Sequence, residues 1–429
     1  MSGDCPNRGF HSGCAAHGDR FGPADLEAAV RGIGLAPAFQ PIVTIPDGVV
    51  VGFEALARWP SAAGLSPQVV FDNAKATGRV DELDRLCIDT AITGALIGQV
   101  GRDPLLCINL EPTSVTASAE ENAILQRGRT ELQVMFELTE RSLLSHPHVL
   151  LATVAAMREQ GFTVALDDVG AHPDSMALLD VISPDVIKLD LGLVQSQPDD
   201  EQARTLSAVL AHHERTGAVI LAEGIETDDH LEQALAVGAT LGQGYKFGRP
   251  GPLDQHPRAT GWSPPARAQR PTLSSGSPFD LVQNHALLRT GRKHTLTAFS
   301  RHIESQARHA PDPPILLTAL ERAQHFTGRT RRDYRVLAAR SPLVAVFGQN
   351  LPNDLGLGIR GVALDPADAL VAEWIVLTLG PHTAAALIAR EHDDNLKHAR
   401  EGDRRFDFVI TYDRALVTAA ACNLLDRIE

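Results

Sequence analysis

At 429 residues the chain is long enough for two ordinary domains, and 53 acidic against 39 basic residues give it a formal net charge of −14. That balance argues against a surface built along its length for nucleic acid. No apolar run approaches a membrane span, the amino terminus lacks the apolar core of a signal peptide, and Cys5, Cys14, Cys87, Cys107 and Cys422 are too scattered for a disulfide framework, so the expected location is the cytoplasm.

Residues 1–21 read as a flexible Gly-, Cys- and His-rich segment, in which Cys5, His11, Cys14 and His17 have a spacing that matches no common zinc pattern. A helix is expected over 24–32, followed by a strand at Phe39-Gln40-Pro41-Ile42. Asp47-Gly48 then reads as a hairpin turn into 49–59, which would make the first strand antiparallel to its neighbour. Helical patterns cover 69–77, 82–96, 120–126 and 148–160, then 200–216 and 228–237, with Gly161, Gly217 and Gly238 closing the last three.

Between these helices lie short apolar runs that each end in a polar side chain. Val49–Phe53 ends in Glu54, Leu105–Ile108 in Asn109 and Leu132–Phe136 in Glu137; Asp185–Leu189 carries Lys188 and closes on Asp190, Val219–Ala222 ends in Glu223, and Ala239–Gly242 precedes Gln243. The sharpest case is Thr163–Gly170, a buried-strand pattern that runs into Asp167-Asp168, two adjacent acids that repel each other unless a cation or a proton neutralises them. Hard divalent cations do this with oxygen ligands. A (β/α)8 barrel gathers such a pattern, because the carboxyl ends of its strands converge on one face.

From 252 to 278 the composition shifts to Pro, Arg, Ser and Gly, as expected of a linker. Beyond it, helices are expected over 279–302, 313–327 and 383–391, strands over 343–347, 359–364, 369–379 and 406–412, and a closing helix over 414–428. Together these describe a smaller α/β or α+β domain.

The motifs Gln40-Pro41-Ile42, Glu54-Ala55-Leu56-Ala57-Arg58-Trp59, Asn109, Glu137-Leu138-Thr139-Glu140, Asp167-Asp168, Lys188-Leu189-Asp190, Glu223-Gly224-Ile225-Glu226 and Gln243-Gly244-Tyr245 resemble, in order, the EAL domain family over about residues 22–253. Val346-Phe347-Gly348, Glu373-Trp374-Ile375-Val376, Leu379-Gly380-Pro381, Ala386-Leu387-Ile388-Ala389-Arg390 and Arg404-Arg405-Phe406-Asp407-Phe408 resemble the DICT domain over 280–429, which leaves 254–279 as linker. The first resemblance implies a modified TIM barrel that hydrolyses cyclic di-GMP to linear pGpG with two Mg2+ or Mn2+ ions, acting as a homodimer. The second implies a sensory domain whose signal is unknown.

By the same resemblance Glu54, Asn109, Glu137 and Asp167 would hold one metal, and Asp167, Asp168 and Glu223 the other. Either Lys188 or Glu223 would activate the water. Gln40, Arg58, Asp190 and Gln243 would line the substrate site, with Glu140 and Glu226 supporting from behind. His146, His148, His172, His212 and His213 read as surface groups, as do Arg404, Arg405 and Arg329 to Arg332, whereas Phe347 and Trp374 read as core. After Asp167-Asp168 the family usually continues Phe-Gly, a small residue and Gly-Tyr-Ser-Ser. Here Val169-Gly170-Ala171-His172-Pro173-Asp174-Ser175 stands instead, in a loop that the resemblance ties to metal binding and the dimer contact. The expected function is therefore a regulated phosphodiesterase, and the alternative is a cyclic di-GMP receptor that has lost turnover.

Overall fold

The computed structural model describes residues 21–62, 64–112, 123–139, 146–171, 173–263, 276–320, 326, 328–392 and 404–428. Cys5, His11, Cys14, His17, Glu140 and His172 lie outside the described residues.

Strands β1 (Ala36–Thr44), β2 (Val50–Arg58), β3 (Leu105–Asn109), β4 (Gln133–Thr139), β5 (Thr163–Val169), β6 (Val186–Leu189), β7 (Val219–Ala222) and β8 (Leu241–Gly242) close a barrel in sequential order. β1 runs antiparallel to both β2 and β8, and every other neighbouring pair is parallel. The reversal comes from the expected hairpin, in which Gly48 N donates to Thr44 O at 2.8 Å and Thr44 N to Val49 O at 2.9 Å. The outer layer comprises α1 (Pro23–Val30), α2 (Pro67–Ala76), α3 (Val80–Ile97), α4 (Ala123–Glu131), α5 (Pro147–Glu159), α6 (Leu179–Ile182), α7 (Leu191–Gln195), α8 (Asp200–Thr216) and α9 (Asp228–Ala236). A 3-10 turn over Pro173–Leu178 leads into α6.

Inside the barrel Ile42, Val51, Leu105, Cys107, Met135 and Leu221 pack as an apolar plug beneath the polar strand termini. Trp262 packs against this plug from below. Its backbone N donates to Asp103 O at 3.1 Å, and Thr260 N donates to Val50 O at 2.8 Å. The first part of the stretch read as linker is thus a strap across the barrel floor, because an open barrel end would leave those apolar side chains wet.

The second unit is a seven-stranded mixed sheet in the order β12-β11-β10-β13-β14-β15-β9. It contains α10 (Pro278–Val282), β9 (Arg289–Arg292), α11 (Lys293–His309), β10 (Ile315–Ala319), α12 (Gly328–Ala338), β11 (Val344–Gly348), β12 (Ile359–Ala363), β13 (Glu373–Leu379), β14 (Ala384–Glu391), β15 (Arg405–Thr411) and α13 (Arg414–Leu425). Three expected helices change here. The stretch 279–302 splits into α10, the edge strand β9 and α11; 313–327 yields β10; and 383–391 is β14. Ile315-Leu316-Leu317 has no period that separates a buried strand from a buried helix. Ala384-Ala385-Ala386 favours a helix by propensity but is overruled by pairing on both sides, with β13 and β15. The expected strand over 369–379 begins with a 3-10 turn at Ala369–Ala372 and extends only from Glu373.

The two units share an interface. α13 lies against α5 and α6, and His148 Nδ1 meets Asp426 Oδ1 at 2.9 Å. One buried apolar cluster runs without interruption from Phe162 and Ile182 of the barrel to Val282, Ile388 and Leu424 of the sheet unit.

Candidate active site

The strand ends that carry Glu54, Glu137, Asp167, Lys188, Glu223 and Gln243 converge at the barrel mouth. Lys188 Nζ lies 2.7 Å from Glu223 Oε1, 3.0 Å from Glu137 Oε2, 3.0 Å from Asp167 Oδ1 and 3.9 Å from Glu54 Oε2. Lys188, Glu137 and Glu54 are buried, whereas the Glu223 side chain keeps 21% of its surface and marks the opening. Gln243 Nε2 donates to Glu54 Oε2 at 2.6 Å and to Gln40 Oε1 at 3.2 Å, and Gln40 Nε2 donates to Gly248 O at 3.2 Å. Asn109 Nδ2 donates to Glu54 Oε1 at 3.1 Å.

Consecutive side chains of a regular strand point to opposite faces, so Asp167 and Asp168 need a break in β5 to serve one site. The break is present. The β5–β6 register shifts between Leu166 and Val169, and Asp168 has φ +55. Carboxylate oxygens of Asp167, Asp168 and Glu223 then come within 4.8 Å of one another. This geometry suits a hard cation, and a donor set made only of oxygen fits Mg2+ or Mn2+ better than zinc.

The electrostatics point the same way. Four carboxylates around one ammonium leave an excess of negative charge in a buried space. Burial pushes the Glu137 carboxyl well above the usual range, with Lys188 opposing and the neighbouring acids reinforcing the rise. Burial also pushes Glu223 up to about 8, against the pull of Lys188. For Lys188 itself burial disfavours the ammonium, but Asp167, Glu137, Glu223 and Glu54 more than offset this and hold its pKa well above the ordinary value. The Glu137 carboxylate meets the Lys188 ammonium through Oε2 at 3.0 Å, which leaves it lone pairs to spare for a cation.

The other expected residues are spread more widely. Arg58 lines a cavity of about 240 Å3 beside Asn109, although its Nη1 donates to Ala57 O at 2.8 Å. Asp190 is the N-cap of α7, its Oδ1 accepting from Gly192 N at 2.8 Å. Glu226 is exposed, and its backbone N donates to His230 Nδ1 at 3.3 Å. The cavity also exposes an acid that the sequence reading passed over. Asp84 is buried on α3, where its Oδ1 accepts from Glu111 N at 3.3 Å. Its signal was a carboxylate directly after Leu83 on the apolar face of a helix.

Two readings need correction. His212 is fully buried rather than a surface group, with Nδ1 2.8 Å from Asp180 Oδ1, and Arg404 is buried against Glu391 rather than solvated. Phe347 is core, and Trp374 stacks edge-on to Phe406 at 5.9 Å.

Comparison with known proteins supplies the family context. Residues 24–250 match the profile described as the EAL domain, and residues 282–392 match that of a sensory domain in diguanylate cyclases and two-component systems. The chain is 31% identical over 226 residues to the cyclic di-GMP phosphodiesterase RocR of Pseudomonas aeruginosa, covering 51% of this chain and 57% of RocR. To the probable cyclic di-GMP phosphodiesterase PdeG of Escherichia coli it is 27% identical over 234 residues, covering 52% and 46%. It spans between about a quarter and just over half of the length of the curated relatives it matches. Among solved structures, a manganese and cyclic di-GMP complex of Klebsiella pneumoniae BlrP1 aligns with TM-score 0.45 and 30% identity over 51% of this chain and 56% of that one.

Proposed function

We propose that this chain, which belongs to the EAL domain family, hydrolyses cyclic di-GMP to linear pGpG and that its sheet unit adjusts the rate. The observation that carries this reading is the convergence of Glu54, Glu137, Asp167 and Glu223 on Lys188 beside an open cavity.

Glu54, Asn109, Glu137 and Asp167 would hold one Mg2+ or Mn2+ ion, and Asp167, Asp168 and Glu223 a second. Bound there, the cations would polarise the phosphodiester and lower the pKa of the attacking water. Gln243 and Gln40 fix the Glu54 carboxylate through the hydrogen bonds that join them. Lys188 stays an ammonium and balances charge, while Glu223, more exposed than Glu54, Glu137 and Asp167, is the better placed proton acceptor. Arg58 offers its guanidinium fork to a substrate phosphate from the cavity wall. The same reading includes a cytoplasmic homodimer, which sedimentation of the purified chain tests.

A second reading, a receptor that binds cyclic di-GMP without cleaving it, is favoured by the departure from the family pattern over residues 169–175. Incubation of the full chain with cyclic di-GMP and Mg2+ or Mn2+, with products resolved by chromatography, separates the two. Metal-dependent pGpG that falls by about a thousandfold or more in Glu54→Ala and Asp167→Ala is expected. Near-normal turnover in Asp167→Ala would refute the metal assignment, and tight binding without product would establish the receptor.

A further inference from the structure

The sheet unit contains a second polar cavity, far in sequence from the carboxylate cluster. It measures about 380 Å3 and is lined by Gln306, Thr378, His382, Thr383, Tyr412 and Arg414, together with alanines. That volume accommodates a small molecule. His382 and Tyr412 are exposed at its rim, and Thr378 is buried in its floor. Its polar lining is made of a guanidinium, an imidazole, hydroxyls and an amide, with no carboxylate side chain among them. Such a set of donors recognises an anion.

Arg414 also belongs to a second set of contacts. It opens α13, and its Nη1 donates to Asp180 Oδ2 at 2.5 Å across the interface and to Gly380 O at 2.9 Å within the sheet unit. Asp180 sits on α6 and also meets His212 Nδ1 at 2.8 Å and Arg215 Nη2 at 3.1 Å. Behind it, Cys422 Sγ of α13 lies 4.0 Å from Val181 O. α6 continues directly from the 3-10 turn that follows Asp167-Asp168. A single guanidinium therefore faces a polar cavity on one side and, on the other, α6, which the 3-10 turn over Pro173–Leu178 joins to β5, the strand that carries Asp167 and Asp168.

We propose that this cavity is an effector site for a small carboxylate- or phosphate-bearing molecule, whose anion competes with Asp180 for Arg414 and so loosens α13 from α6. The link to catalysis rests on the hydrolase reading above, but binding and loosening do not. Both are therefore tested without cyclic di-GMP or metal.

The full chain is titrated calorimetrically with sodium phosphate and, separately, with sodium succinate, and amide exchange over residues 176–182 is followed at saturation. One of the two anions binds, which distinguishes the phosphate from the carboxylate source, and exchange over 176–182 accelerates. Arg414→Gln and His382→Ala weaken that binding by about tenfold or more. Asp180→Asn, which removes the competitor and leaves the cavity intact, tightens it by about tenfold, within the range typical of linked sites. Binding of neither anion, or equal binding in Arg414→Gln, would overturn the site. Unchanged affinity in Asp180→Asn, or unchanged exchange on binding, would overturn the competition. His382→Ala leaves the Asp180–Arg414 contact in place, so loss of binding there cannot come from a broken interface.

Discussion

At the barrel mouth, four carboxylates lean on Lys188, and the cost of removing it follows from that geometry. Lys188→Met would leave buried acids uncompensated, which costs about 3 kcal/mol or more unless they take up protons. We expect a lower melting temperature without metal and a larger rise on adding Mn2+ than in the unaltered chain, because the cation then supplies all of the balancing charge. Equal rises in the two proteins would contradict it. Asp180 provides a pH test. Burial opposes its charge, but His212, Arg215 and Arg414 together hold its carboxyl well below the usual carboxylate range. A depressed folded pKa contributes stability that is fully present above the unfolded value of about 4 and is lost as the pH falls towards the folded one. Asp180→Asn should accordingly melt lower at pH 7 and show a flatter decline in melting temperature between about pH 4 and pH 3. Each strand-end acid could be identified from the sequence because a polar residue closing an apolar run is locally conspicuous. His212 and Asp84 were not identifiable in that way, since their burial depends on what packs over them.

Among the elements, β5 decides the site. Its pattern identifies a strand but not the bulge that turns Asp168 towards Asp167 and Glu223, because a register shift is a relation between two strands. The turn after β8 is as exacting. Gly244 has φ +157, and a Cβ there would lie 2.1 Å from Ile225 O and 2.3 Å from Ile225 N, both backbone atoms that cannot step aside. Gly244→Ala should therefore destabilise by about 2 kcal/mol or more in chemical denaturation and displace Gln243 from Glu54. Gly170 presents a milder case. A Cβ there meets Leu193 Cδ1 at 2.3 Å, the end of a flexible side chain, so Gly170→Ala should cost less than Gly244→Ala. The reverse order would show that the 3-10 turn and α7 are the stiffer support. In the sheet unit, β10 and β14 were read as helices for the reason given by their neighbours: strand pairing lies outside the segment's own sequence.

The molecule as a whole is tied together by a core that crosses from barrel to sheet unit. Calorimetry of the full chain should give one unfolding transition, and two well-separated ones would show that the shared core contributes little. The strap beneath the barrel makes a related prediction. A fragment ending at residue 263 keeps Trp262 on the barrel floor, whereas one ending at 250 lacks it and uncovers the apolar plug, so the shorter fragment should melt lower. The strand and helix order of the barrel, its reversed first strand and its acidic mouth were set by local periodicity and by the polar residue closing each apolar run, because both act within a few residues. The facing of Asp168, the burial of His212, the strap and the contact from Arg414 to Asp180 were decided only in three dimensions, because each depends on residues brought together by the closure of the barrel or by the docking of the sheet unit upon it.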